Sequence, residues 1–171
     1  MGRILRGRAG SGSHVRKDLG EIEQGIAELA KAGNVIAEPT TLLWLGEALR
    51  RAGRRNDALR TFERGLVRAE ETAEHGADAE LCRRKAETLL DGDEASLGDA
   101  EALLLRALEI ARRQETKSFE LRVATSLSRL WKTQGKAAEA RALLAPVYDW
   151  FTEGFDTQDL KDAKALLEEL R

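Results

Sequence analysis

The chain has 171 residues, room for one domain with a sizeable core. Leu (26), Ala (26), Glu (20) and Lys plus Arg (28) fill 100 positions, a helix-forming composition, while Ile and Val together number ten, too few for a β-sandwich or a buried parallel sheet. The net charge of −2 supplies no global field for nucleic acid or an anionic membrane.

In chain order, residues 1–20 are rich in Gly and Arg, with Arg3, Arg6, Arg8, Arg16 and Lys17 against Asp18. They read as a flexible basic arm. A phosphate-binding loop is not indicated, because Gly7, Gly10 and Gly12 lack the GxGxxG spacing. Over residues 21–33, Ile22, Ile26, Leu29 and Ala30 form one apolar face that stops near Gly33-Asn34. The next helix opens at Pro39, where a missing N–H costs nothing, carries Leu42, Leu45, Leu49 and Ala52, and stops at Gly53. Its companion carries Ala58, Phe62, Leu66 and Ala69 and runs on towards His75-Gly76. Two further pairs are predicted over about 79–114 and 118–151, the first pair spanning about 39–75. Pro146 interrupts the last of these helices, and a kink there would turn the chain into a closing helix over 157–170, N-capped by Asp156.

Superposing the three pairs exposes a repeat. Gly46, Ala86 and Ser128 are spaced by 40 and 42 positions, and Ala58, Ala100 and Ala140 by 42 and 40. Phe62, Leu104 and Leu144 each follow those alanines by four. Small residues let two helices approach closely, and the large residue fills the gap between stacked units. Cys82 occupies an anchor position, so burial is expected, and a single cysteine allows no intrachain disulfide. Lys85 stands where an apolar residue belongs. Trp44, Trp131 and Trp150 fall at or beside packing positions and are expected to pack the core.

The pattern Leu42-x2-Leu45-Gly46-x2-Leu49…Ala58-x3-Phe62, repeated through Ala124-x2-Leu127-Ser128-x2-Trp131…Ala140-x3-Leu144, resembles the tetratricopeptide repeat. Departures are the period of about 40 against ~34 residues and Glu70 at the place of the closing proline. The resemblance implies an all-α fold, a right-handed α-α superhelix of about three helix pairs with an N-terminal half-repeat and a C-terminal capping helix. Residues 107–170, above all the run LLAPVYDWFTEGFDTQDL, resemble the C-terminal region of bacterial multidomain signalling proteins that carry nucleotide cyclase and AAA-type ATPase domains. That likeness implies a regulatory or interaction region and no catalytic residues.

Catalytic and ligand motifs are not found. Gly135-Lys136 is followed by Ala137, and Leu130 stands where a phosphate loop needs its first glycine. Counting from Asp91, Ser96 and Ala102 occupy the positions an EF-hand loop gives to Gly and Glu. His14, His75 and Cys82 make no zinc set. The expectation is a non-enzymatic, cytoplasmic chain with no cofactor, no metal, no membrane span and no nucleic-acid partner.

The tetratricopeptide likeness implies that the first helix of each pair lines a concave, partner-binding face. This selects Glu47, Arg50 and Arg51 from the first pair, Arg83 and Glu87 from the second, and Arg122, Arg129 and Lys132 from the third. Together they suggest a mildly basic groove for a peptide or protein segment. Glu47 with Arg83, and Glu87 with Arg129, are candidate ion pairs between neighbouring helices. The alternative is self-association as a homodimer through the N-terminal helix, which looks like half of a repeat.

Overall fold

Apolar faces at helical spacing, broken by residues in the left-handed region, give a chain of α-helices. The computed structural model describes residues 38–92 and 96–171. Among these residues seven α-helices follow one another: α1 Glu38–Arg51, α2 Arg55–Thr72, α3 Asp78–Leu90, α4 Leu97–Arg113, α5 Lys117–Thr133, α6 Ala137–Asp149 and α7 Gln158–Glu169. A 3-10 turn, His75–Ala77, precedes α3, and no strand occurs among the described residues. The basic arm over 1–20 and the helix expected over 21–33 lie outside them. The chain divides into two compact units, Met1–Thr88 and Leu89–Arg171.

Four helices end on the same device. A left-handed residue follows the last turn, and the next N–H reaches back five residues to a carbonyl. Gly53 (φ 75°) and Gly135 (φ 78°) serve α1 and α5, while Ala73 (φ 57°) and Glu115 (φ 54°) serve α2 and α4. The closing bonds are Arg54 N–H to Leu49 O (2.9 Å), Lys136 to Trp131 (2.9 Å), Glu74 to Ala69 (3.0 Å) and Thr116 to Ala111 (3.0 Å). Ala73 is why α2 stops at Thr72, short of the predicted His75-Gly76.

In the first unit, α1 packs on α2 through Gly46. A Cβ there would stand 2.3 Å from the Phe62 ring, so only glycine admits the contact. Gly65 repeats the arrangement between α2 and α3, where a Cβ would meet Leu81 Cδ2 at 2.8 Å. Leu42, Ala58, Phe62, Leu81, Cys82 and Ala86 are fully enclosed. Lys85, at its anomalous position, reaches out to pair with Glu63 of α2.

In the second unit, α5 is the central element, packed against α4, α6 and α7. Ala100, Leu104, Ala140 and Leu144 are fully buried. Ser128, the small residue of its pair, donates from Oγ to the Ala140 carbonyl (3.0 Å), so its hydroxyl is satisfied inside the helix contact. Helix α6 continues through Pro146 as far as Asp149. The N-cap of α7 is Thr157, with extended ψ of 150°, rather than Asp156. The Thr157 hydroxyl turns back to the Gly154 carbonyl (2.7 Å).

Candidate functional site

The first-helix charges of the first unit gather around one network. Glu47 of α1 accepts from Arg51 Nε (3.0 Å), with Arg50 4.0 Å away and Arg84 of α3 at 3.5 Å. Arg84 bonds in turn to Glu87 (3.1 Å). Arg83 lies beside it, donating Nε and Nη2 to the two Glu80 oxygens (2.8 and 2.7 Å) and Nη1 to Glu87 (2.6 Å). The partner of Glu47 on α3 is thus Arg84, one position from the Arg83 suggested by repeat spacing. That spacing carried no signal for Arg84, whereas it places Glu80 on the same face as Arg83 and Glu87.

Burial divides these residues by what they can do. The Arg83 side chain is 7% exposed. Burial works against its charge, and the bonds and charges of Glu80 and Glu87 outweigh that penalty, raising its pKa above the ordinary arginine value. Arg83 is therefore held within the α3 surface, while Arg51 is 71% exposed at its side chain.

In the second unit the three cations of α5 face α7. Arg122 Nε bonds to Asp159 (2.6 Å), Arg129 to Asp162 (3.3 Å) and Lys132 Nζ to Glu169 (2.7 Å). Lys132 holds the Glu169 carboxyl below its usual range. These carboxylates lie 30 or more residues along the chain from their cations, and no candidate pairing included them. Between α5 and α7 lies a cleft of about 310 Å³, lined by Arg129, Lys132 and Thr133 on one side and Asp162, Ala165, Leu166 and Glu169 on the other.

The tryptophans correct the core assignment made from spacing. Trp44 is 62% and Trp150 57% exposed: Trp44 falls beside the buried stripe of α1 rather than on it, and Trp150 stands just past the end of α6. Trp150 is edge-on to Phe151 and under Lys117 Nζ (5.7 Å). Trp131 is partly buried, and its indole N–H donates to Glu101 (2.7 Å). His75 contacts Asp78 through Nδ1 (2.8 Å). Among the described residues no three His, Cys, Asp or Glu side chains cluster to hold a metal ion, and no helix is long and apolar enough to cross a membrane.

No family model matches the chain, and no curated protein matches it. Among solved structures, it is similar to a kinesin light chain-like protein of Podosopora anserina with nearly identical TPR-like repeats, at 18% identity and a TM-score of 0.66. A single-substitution variant of that protein aligns with a TM-score of 0.68, again at 18% identity. Both alignments cover 95% of this chain and 80% of the other. The likeness shows the fold, an all-α repeat of the tetratricopeptide kind.

Proposed function

We propose that the chain is a non-catalytic protein–protein interaction module, cytoplasmic and regulatory, that binds a peptide or protein segment on the face lined by its first helices. In repeats of this kind that face is concave and used for recognition. The observation that carries the proposal holds within each unit by itself: α1 presents Arg51, 71% exposed at its side chain, and α5 presents Arg129 and Lys132 at about half exposure, while the opposite side of each helix is buried. A segment of acidic character suits these cations. The likeness of residues 107–170 to the C-terminal regions of bacterial cyclase- and ATPase-linked signalling proteins supplies the context we infer.

The test is capture on the immobilised full chain from an extract of the source organism, followed by titration of the purified partner. Reversing Arg51, Arg129 and Lys132 to Glu is expected to weaken binding by about tenfold or more; unchanged affinity removes the cationic face from the proposal. A second reading, a homodimer, draws on the exposed indole of Trp44 on α1. Light scattering that finds a monomer at high concentration dismisses it.

A further inference from the structure

The acids facing α5 follow the register of one helix. Asp159, Asp162 and Glu169 border the stripe Leu160, Ala163 and Leu166 that α7 buries. Each later cation meets a later acid, so α7 runs parallel to α5 as an acidic amphipathic helix along a cationic one. The seat is incompletely filled, since the 310 Å³ cleft opens between the two helices at Arg129 and Lys132. The polar rim of that cleft consists of ion pairs between side chains that are about half exposed, each a weak fastening, above the apolar stripe that α7 buries.

Resting on the interaction reading above, we propose that α7 is a built-in competitor for the α5 face, and that the partner it competes with is an acidic amphipathic helix of another protein. That helix carries carboxylates at i, i+3 and i+10 and apolar residues at i+1, i+4 and i+7, the spacing by which α7 itself meets Arg122, Arg129 and Lys132. A tethered helix acts at high effective concentration, so the partner binds only in proportion to the fraction of molecules in which α7 has left its seat. Weakening the α7 acids raises that fraction and the apparent affinity together.

The probe is a fluorescently labelled peptide of residues 156–171, titrated onto the full chain and onto a full-length variant carrying Asp159→Lys, Asp162→Lys and Glu169→Lys. The variant is expected to bind about tenfold more tightly than the parent chain, in a salt-sensitive manner, and a peptide bearing the same three lysines to bind neither. Equal affinities, or no binding to a variant whose circular dichroism matches the parent, overturn the proposal. If the variant loses its helix content, hydrogen exchange of the parent chain decides. Protection of the α7 amides about tenfold below that of α5 and α6 supports the competitor role, and equal protection overturns it. Either overturning result leaves the interaction reading standing, because extract capture on the unaltered full chain tests that reading separately.

Discussion

Ala73 and Glu115 hold the left-handed conformation that Gly53 and Gly135 hold at equivalent helix ends. An L-residue with a Cβ pays roughly 1–2 kcal/mol in that region, and glycine escapes most of it. Glycine's larger unfolded-state entropy takes back part of the gain. Glu115→Gly and Ala73→Gly are therefore each expected to raise stability by about 0.5–1 kcal/mol, read as a higher urea midpoint at unchanged slope. Gly46→Ala goes the other way. Its Cβ would overlap the Phe62 ring at 2.3 Å, and Phe62 is fully enclosed, so α1 and α2 must part. A loss of about 1–3 kcal/mol is expected, and an unchanged midpoint would mean that Phe62 has another rotamer to adopt. These contacts explain why the fold is legible in the sequence. Gly46, Ala58 and Phe62 are chosen by steric demands that recur at each pair, and such demands leave a periodic trace.

Helix–helix seams obey a different logic, because their charges answer to whichever helix lies alongside. Arg122 finds Asp159 across 37 positions, and no local spacing announces that partner. Repeat spacing selects Glu47 and Arg83 as a pair, yet one step around α3 hands Glu47 to Arg84 and turns Arg83 inward to Glu80. The candidate site is therefore legible as a set of residues on first helices but not as a set of contacts. The same reasoning covers Trp44, whose apolar character says core while its angular position on α1 says surface. One seam carries a pH signature. Burial raises the Glu120 pKa, but hydrogen bonds from Lys117 (2.7 Å) and Arg112 (2.8 Å) outweigh it and leave the carboxyl below its ordinary value. A lowered folded-state pKa means that the unfolded chain takes up the proton first. The contribution is thus whole above the ordinary carboxylate range and fades as pH falls through the lowered value. Glu120→Gln is expected to destabilise the chain at neutral pH, with the gap to the parent closing on acidification; a gap independent of pH would contradict this. Pro146 offers a gain in α6. It is exposed within a continuous helix, and Pro146→Ala restores an N–H there, with an expected rise of about 1–3 kcal/mol in thermal or urea unfolding.

At the scale of the whole molecule, a repeat protein has no single centre, and each helix pair depends on its immediate neighbours. The division at Thr88 and Leu89 fits that expectation, and it bears on how damage spreads. Leu144 is fully buried in the second unit and Phe62 in the first, so truncating either leaves a cavity worth about 2–5 kcal/mol. In a globular domain with one core, such a loss lowers the protection of every slow amide together. In a chain of nearest-neighbour contacts, the loss falls on the elements that touch the cavity and decays with distance along the sequence. Leu144→Ala is therefore expected to accelerate hydrogen exchange in α5, α6 and α7 while leaving α1 and α2 close to the parent, and Phe62→Ala to produce the reverse. A uniform acceleration in both variants would show the described helices to unfold as one cooperative block. The local pattern, in contrast, is what lets the end of a repeat protein open to a ligand without unfolding the rest. The order of protection among α5, α6 and α7 in the Leu144→Ala chain then reports how much each helix owes to the others.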